Sequence, residues 1–161
     1  MRVLALDQST KITGWSLFVD ERYVDSGVID LSKNKNTEDR SKQMALAICK
    51  VIADACPDVT VIEEVAMQSN AQTLKLLARI QGVAIGFCAA HNIPLHILEP
   101  SKWRSALDFK QGRAVKREEL KQQSFDYVKE HLGFNYFSED RCEACCINVA
   151  AHKIFDFDDE I

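Results

Sequence analysis

Residues 2–7, with the sequence RVLALD, decide the fold, because a short apolar run ends there on the acidic Asp7. Four consecutive apolar residues between charged ones are typical of a strand that is buried on both faces of a sheet. After a polar turn, residues 15–19 (WSLFV) predict a second strand. A further turn and an alternating segment at 23–31 predict its antiparallel partner, so the chain is expected to begin with a strand and a hairpin.

Strands and helices alternate through the rest of the chain. The predicted segments are strands at 59–62 and 95–98 and helices at 40–55, 70–91, 115–132 and 139–155. Parallel strands joined by helical crossovers are normally covered by helices on both faces. We therefore predict one α/β domain with a mixed sheet over residues 1–155, followed by a short acidic tail at 156–161.

The composition is that of an ordinary globular domain. The 161 residues are 47% hydrophobic and 27% charged, and the formal net charge is −4. The hydrophobic and charged fractions exclude disordered and collagen-like classes. No apolar run near 18 residues is evident, so no membrane partner is expected, and the first strand is too short for a secretory signal. We expect a cytoplasmic location, in a bacterium or a phage-infected host, with reduced cysteines.

Acidic residues follow two of the predicted strands. Asp7 ends the first strand, and Glu63 or Glu64 ends the strand at 59–62. Because ligand sites in open α/β sheets lie at the carboxyl ends of the strands, these side chains are expected to converge. The start of the last helix adds two more acids three residues apart, Asp140 and Glu143, which share one face of its first turn.

Four converging carboxylates repel one another unless cations lie between them. Hard oxygen ligands suit Mg²⁺ or Mn²⁺, and two such ions can assist the hydrolysis of a phosphodiester. The alternative is that acids at strand ends are solvated and that acids at a helix start interact favourably with the helix dipole.

The segment 102–117 is strongly basic although the chain is acidic. It carries six positive residues and one negative residue, Asp108. Such a segment can neutralise phosphates, and an aromatic side chain within it can stack on a base. The candidate DNA-binding residues are Lys102, Trp103, Arg104, Lys110, Arg113, Lys116 and Arg117. The alternatives are a solvated helix face paired with Glu118 and Glu119, and a core position for Trp103.

Three cysteines, Cys142, Cys145 and Cys146, precede His152 in the last predicted helix. This spacing lacks the second pair of ligands of a zinc finger or ribbon, because all four residues share one helical pattern. We interpret the cysteines as small apolar side chains that pack the last helix.

Several of these segments together resemble the RuvC family of Holliday junction resolvases, within the ribonuclease H-like superfamily. The similar segments are Leu6-Asp7-Gln8-Ser9, Thr13-Gly14-Trp15, Ile62-Glu63-Glu64-Val65, Asn70-Ala71, Gly82-Val83-Ala84-Ile85 and Asp140-Arg141-Cys142-Glu143-Ala144. The resemblance extends from Val3 to His152. It implies a ribonuclease H-like mixed sheet with an antiparallel hairpin and helices on both faces, and it selects Glu63 over Glu64.

The resemblance also implies an activity. A homodimeric, metal-dependent endonuclease is expected, which nicks Holliday junctions and other branched DNA, including forks and flaps, and leaves 5′-phosphate and 3′-hydroxyl ends. Asp7, Glu63, Asp140 and Glu143 would be catalytic residues that hold two Mg²⁺ ions, with Mn²⁺ as a substitute. Lys116 matches a catalytic lysine near the metals, and Arg104 lies close to a second basic position.

Three positions depart from the family pattern. Gln8-Ser9 replaces the usual Pro-Gly after the first acid, and Glu143 replaces the usual Asp as the last ligand. Ala66 stands where many bacterial members carry an aromatic residue that stacks on junction bases, so tight sequence-selective cutting is not expected from this position.

Two other functions fit parts of the pattern. An RNA-processing nuclease or a non-cleaving junction-binding protein could share the fold and its acids. An ATP-binding domain of the sugar-kinase type has a similar first strand and loop, but Ser9 replaces a glycine that this loop needs, and 161 residues do not hold two such lobes.

Overall fold

A computed structural model describes residues 1–66, 70–135 and 138–157. The strands are β1 (Arg2–Asp7), β2 (Ile12–Val19), β3 (Arg22–Asp30), β4 (Val59–Glu63) and β5 (Leu95–Leu98). The helices are α1 (Thr37–Ala55), α2 (Ala71–Ala90), α3 (Pro100–Ala106), α4 (Arg117–Leu132) and α5 (Glu139–Ile154). The predicted order of strands and helices is confirmed, with one additional short helix, α3.

The five strands form one mixed sheet in the order β3-β2-β1-β4-β5. The β1–β2 and β2–β3 pairs are antiparallel, whereas β4 runs parallel to β1 and β5 runs parallel to β4. The carboxyl ends of β1, β4 and β5 therefore meet at one edge of the sheet.

Alternate side chains of β1 point into two separate cores. Leu4 and Leu6 face α1 and α2, and we call this side of the sheet the α1–α2 face. Val3 and Ala5 face the opposite side, which is covered by α3, α4 and α5 and which we call the α5 face. Since both faces are covered, the predicted α/β class with helices on both sides is confirmed. Residues 3–6 of β1 are all apolar because the side chains on both of its faces are buried.

Buried polar side chains fix α5 against the sheet. Asn148 of α5 is fully buried, and its side-chain amide donates to the backbone carbonyls of Val3 (3.0 Å) and Ser16 (3.1 Å). The Ser16 hydroxyl donates in return to the carbonyl of Ala144 at 2.8 Å. A buried polar group that lacks a hydrogen-bond partner destabilises the fold. Because these bonds form only when α5 lies at one position along the sheet, they favour that position.

Several boundaries differ from those predicted, and contacts in the structure explain two of the differences. Helix α1 begins at Thr37 rather than residue 40, because the Asn36 side chain accepts a hydrogen bond from the amide of Asp39 and caps the helix. The packed part of the chain extends past residue 155, because Phe157 is buried in the core of the α5 face. Of the predicted acidic tail, residues 158–161 lie outside the described residues.

The expectation that the chain has no apolar segment long enough to span a bilayer was too strict. In the part of the chain that the structure describes, α2 is long and apolar enough to cross a bilayer by length and composition alone. Its residues Ile80, Ala84 and Cys88 are nevertheless buried in the core of the α1–α2 face, and Leu76 is buried as well. Those contacts are typical of a helix that covers a sheet.

Candidate active site

Strand register explains why Asp7 and Glu63 share one side of the sheet. Residues 3 and 5 of β1 pair with residues 59 and 61 of β4, and all four face α5. Because side chains alternate along a strand, Asp7 and Glu63 continue the same row on the α5 face. Glu64 falls on the other parity, and its carboxylate accepts a hydrogen bond from the amide of Val65. The alternation therefore supports the choice of Glu63 over Glu64.

Helix α5 brings the other two acids to the same place. Asp7, Glu63, Asp140 and Glu143 all line one cleft of about 410 Å³ at the carboxyl ends of the strands. Ser138 caps the helix by accepting from the amide of Arg141, so α5 begins with both acids near its N-terminus. The predicted convergence of the four carboxylates is thus what the structure contains.

The four acids are electrostatically strained in the absence of a cation. Burial raises the pKa of Asp7 well above its ordinary value, and the charges of Glu63, Glu143 and Asp140 raise it further. Burial also raises the pKa values of Glu63, Glu143 and Asp140. Carboxyl groups that resist ionisation together are the ones that gain most from a divalent cation placed between them.

The donor set fits a hard divalent cation, although the cage is not closed. Four carboxylates line the cleft, and carboxylate oxygens are the ligands that Mg²⁺ and Mn²⁺ prefer. Within the described residues, no three acidic, histidine or cysteine side chains are yet gathered closely enough to form a preformed metal cage. A cation bound among these carboxylates would offset their mutual repulsion.

Two glutamines hold the backbone of Glu63, and neither contact was predicted from the sequence. The side-chain amide of Gln8 donates to the Glu63 carbonyl at 3.3 Å, and that of Gln81 donates to the same oxygen at 3.2 Å. Both glutamines are buried. Gln81 lies on the apolar face of α2, so a buried polar residue among apolar ones was the available signal.

Arg104 and Arg117 are the basic side chains of the segment 102–117 that line the cleft. Arg104 of α3 lies 4.0 Å from a carboxylate oxygen of Glu63, measured from its Nη2 atom. Lys116, which the resemblance placed at the metals, is exposed and is the N-cap residue of α4, outside the cleft lining. Its neighbour Arg117 begins α4 and occupies the cleft.

The prediction that Trp103 stacks on DNA bases is wrong. Its side chain is fully buried in the core of the α5 face, and its indole nitrogen donates to Glu63 rather than facing solvent. The remaining candidate DNA-binding residues, Lys102, Lys110 and Arg113, are exposed. Lys102 pairs with Glu99 at 3.5 Å, an exposed contact that contributes little to stability.

About four fifths of the chain carries a family pattern. A family profile described as crossover junction endodeoxyribonuclease RuvC matches residues 3–133. The chain belongs to the RuvC family. The match includes Asp7 and Glu63 and ends before α5, so Asp140 and Glu143 are assigned from the cleft that they share with those residues.

Individual RuvC relatives agree with the family membership. The crossover junction endodeoxyribonuclease RuvC of Trichlorobacter lovleyi is 29% identical over 122 residues, which is 73% of this chain and 68% of the relative. The RuvC of Geobacter metallireducens is 35% identical over 89 residues, which is 53% of this chain and 54% of the relative.

Solved structures show the same fold at lower identity. Thermus thermophilus RuvC in complex with a Holliday junction substrate superposes with a TM-score of 0.74 at 15% identity, covering 94% of this chain and 92% of that one. The yeast mitochondrial Holliday junction resolvase Ydc2 gives a TM-score of 0.57 at 15% identity, covering 92% of this chain and 76% of that one. The ribonuclease H-like fold class is therefore confirmed.

All three departures from the RuvC pattern lie in the cleft itself. Glu143 reaches the cleft with a side chain one methylene longer than the usual Asp, and Ala66 lines the cleft at its edge. Gln8, in place of the usual proline, gains a role that proline could not fill, because its amide donates to the carbonyl of Glu63.

The cysteines of α5 pack the core, as predicted. Cys142, Cys145 and Cys146 are fully buried on the α5 face. Burial raises the pKa of Cys142 to about 11 and that of Cys145 to about 12, and it raises the pKa of Cys146 well above its ordinary value. Thiols that resist ionisation are poor nucleophiles and poor metal ligands.

Thiol labelling is expected to divide the cysteines by location. Exposed Cys56 should react with a water-soluble disulfide reagent at pH 8 within minutes, whereas Cys142, Cys145 and Cys146 should react only after unfolding. Time-resolved absorbance with peptide mapping measures the order of labelling. Fast modification of any α5 cysteine in the folded protein would contradict its assignment to the core, and Cys56→Ser should remove the fast phase.

Proposed function

We propose that this chain is a structure-selective endonuclease that nicks four-way junctions and other branched DNA, leaving 5′-phosphate and 3′-hydroxyl ends. The observation that carries the proposal is the shared cleft in which four strand-end and helix-start carboxylates meet two arginines, within a RuvC fold. The activity is proposed for the domain over residues 1–155, in the cytoplasm of a bacterium or of a phage-infected host.

The cation of the RuvC family is divalent, and we propose two Mg²⁺ ions in this cleft, with Mn²⁺ as a substitute. Asp7 is central to the set because it interacts with each of the other three acids. Bound ions of this kind activate a water nucleophile and stabilise the leaving oxygen of a phosphodiester. The protein supplies the carboxylates that would hold the ions and the rigid strand ends that fix two of those carboxylates.

The arginines of the cleft would bind the phosphate that is cut. A guanidinium group is permanently charged and its planar set of donors matches phosphate oxygens. Arg104 is supplied by α3 and Arg117 by the first residue of α4, so two separate elements would hold the scissile phosphate. The exposed lysines and arginine of the segment 102–117 would add counterion release along the flanking DNA.

A homodimer follows from the symmetry of the proposed substrate. A four-way junction has two-fold symmetry, and a two-fold dimer would present one cleft to each of two matched strands. The outer side of α2 offers a surface for such contact, since Val83 is 43% exposed and Ile85 is 38% exposed. Gly82 and Gly86 lie beside them with open space around their α-carbons, which permits close approach of a second helix.

The deciding experiment compares labelled substrates of equal length. A four-way junction, a flap, a fork, a linear duplex and a single-stranded RNA are each incubated with the protein and Mg²⁺. Cleavage of the junction well above that of the linear duplex, with EDTA abolishing it, is the expected result. Cleavage of the RNA with an intact junction would establish the RNA-processing alternative, and tight junction binding without cleavage would establish the non-cleaving one.

The two neighbouring basic residues at the start of α4 give a sharper test of the cleft. Arg117→Ala is expected to lower the cleavage rate by about 10²-fold, since it removes a permanent positive charge from the phosphate site. Lys116→Ala is expected to lower it less than 10-fold and to weaken DNA binding chiefly at low salt, since Lys116 is exposed outside the cleft lining. Single-turnover rates at several salt concentrations measure both effects. A larger loss in Lys116→Ala would restore Lys116 as the catalytic cation.

A further inference from the structure

Trp103 places a hydrogen-bond donor in the core directly behind an active-site carboxylate. It lies in α3, its side chain is 0% exposed, and its ring packs edge-on against Phe109 with centroids 5.7 Å apart. Its indole Nε1–H donates to Oε1 of Glu63 at 2.7 Å. A buried indole N–H needs a hydrogen-bond acceptor. Here the acceptor is the carboxylate of Glu63, which is also a proposed metal ligand.

Arg104 approaches the same oxygen from the same helix. Its guanidinium carbon lies 4.8 Å from the centroid of the Trp103 ring, and its Nη2 atom lies 4.0 Å from Glu63 Oε1. Two adjacent residues of α3 therefore act on one carboxylate oxygen. Both contacts fall on Oε1, and neither residue contacts the other oxygen, Oε2, at these distances.

The main chain at Glu63 has little freedom of its own. Gln8 and Gln81 both donate to its carbonyl, and the next amide, that of Glu64, donates to the carbonyl of Leu98 at 2.9 Å. Only the side-chain torsions of Glu63 remain to be set. The hydrogen bond from Trp103 sets them by fixing the end of the side chain.

We infer that Trp103 is a positioning residue: it holds Glu63 Oε1 and thereby presents Oε2 as a single-oxygen ligand for the divalent cation. The inference rests on the proposed function of the cleft as a metal-dependent nuclease site. Partners of this kind, which orient a ligand without touching the metal, typically change metal affinity by about 10–100-fold when they are removed. A Trp103 that served packing alone would affect stability but not the response to the metal.

The cleanest variant removes the donor and keeps the shape. Replacing the indole of Trp103 by benzothiophene, in a Trp15→Phe background that leaves position 103 as the sole tryptophan site, exchanges the N–H for sulfur in a ring of similar size. Trp103→Phe makes the same deletion with natural amino acids but also leaves a cavity. Phe109→Leu is the matched packing control, because it disturbs the contact with the Trp103 ring and retains the indole donor.

Metal affinity measured without DNA is the first readout. Calorimetric titration with Mn²⁺ is expected to give a dissociation constant about 10-fold weaker for the benzothiophene protein and for Trp103→Phe, and unchanged within about 2-fold for Phe109→Leu. The Mg²⁺ concentration that half-saturates junction cleavage should shift by the same factor. An unchanged Mn²⁺ constant in the benzothiophene protein would overturn the inference.

The indole proton supplies a second, direct readout. Uniform ¹⁵N labelling gives one indole signal for Trp103 and one for Trp15, assigned with Trp15→Phe. Titration with Mg²⁺ is expected to move the Trp103 signal in a saturable way and to leave the Trp15 signal in place, with no movement of either in Asp7→Asn. If the Trp103 signal does not shift at saturating Mg²⁺, the hydrogen bond from Trp103 to Glu63 is separate from the metal site.

These outcomes separate the inference from the function on which it rests. If the wild-type protein binds Mn²⁺ but cuts no junction, the proposed substrate is wrong and the role of Trp103 is still decided by the binding constants. If the wild-type protein binds no divalent cation, the proposed function fails and the inference fails with it.

Discussion

Asp7→Asn is expected to lower Mg²⁺-dependent cleavage of a four-way junction by on the order of 10³-fold. Asp7 ends the central strand β1, and its charge interacts with all three of the other cleft carboxylates. Asparagine keeps the size of the side chain but removes the negative charge that would hold the cation. Single-turnover cleavage at saturating protein measures the loss, with gel-shift binding in Ca²⁺ to show that the junction is still bound.

Asp54→Asn is the matched control, because Asp54 is an exposed acid of α1 that pairs with Lys50 on the helix surface. Its loss should leave cleavage unchanged within about 2-fold. Cleavage by Asp7→Asn at more than a tenth of the wild-type rate would contradict the assignment of the metal site, whatever substrate is used.

Asp7→Asn is also expected to keep its fold, and the reason follows from the raised pKa of Asp7. Burial and the neighbouring acids make the ionised form of Asp7 unfavourable in the metal-free protein. The stability that this carboxyl contributes is therefore lost as pH rises from the ordinary value of about 4 through the raised pKa. In EDTA at pH 7.5, Asp7→Asn should melt at or above the wild-type temperature, and saturating Mg²⁺ should stabilise only the wild-type protein.

The strand ends were predictable because their chemistry is local. An apolar run that stops on an acid indicates both a buried strand and the point where its side chains leave the core, as at Asp7 and Glu63. The spacing of Asp140 and Glu143 likewise indicates one helix face without any knowledge of the fold. These signals need only a few neighbouring residues, and the structure places all four side chains in one cleft.

The basic segment was harder to predict because its pattern fits opposite environments. A tryptophan between a lysine and an arginine suits a base-stacking surface and a buried helix equally well, and only the tertiary fold places Trp103 behind Glu63. The seven residues of α3 are too few to show a helical period. Lys116 and Arg117 are adjacent in sequence and both are exposed, but of the two only Arg117 lines the cleft.

Gly14 is the position where the sheet and the first turn of α5 come closest. A β-carbon at residue 14 would lie 1.9 Å from the carbonyl oxygen of Asp140 and 2.5 Å from its carbonyl carbon. Non-bonded heavy atoms prefer about 3.5–4.0 Å, so either β2 or α5 would have to move by more than about 1 Å. The nearest atoms belong to the backbone, which cannot rotate out of the way. The absence of a side chain at Gly14 is therefore what lets α5 deliver Asp140 to the strand ends.

Gly14→Ala is accordingly expected to damage both the fold and the site. Forcing the strand and helix apart should cost about 1–3 kcal/mol, which for a chain of this size is about 2–4 °C in Tm for each kcal/mol. A shift of about 1 Å in the backbone of Asp140 also displaces Glu143 one turn later, and such misplacement typically costs about 10²-fold in rate. Tm and single-turnover cleavage, measured at least about 15 °C below Tm, report the two effects separately.

Gly133→Ala separates damage to the site from general loss of stability. Gly133 ends α4 with φ +76° and has no atom within 4 Å of a built β-carbon, so alanine there strains the backbone by about 1 kcal/mol without a clash. This variant should lose a few degrees in Tm and keep wild-type cleavage and Mn²⁺ affinity. Gly14→Ala at equal stability should lose both, because its defect lies between β2 and the carboxylates of α5. If the two variants cleave equally well, the close approach at Gly14 serves packing alone and the placement of Asp140 does not depend on it.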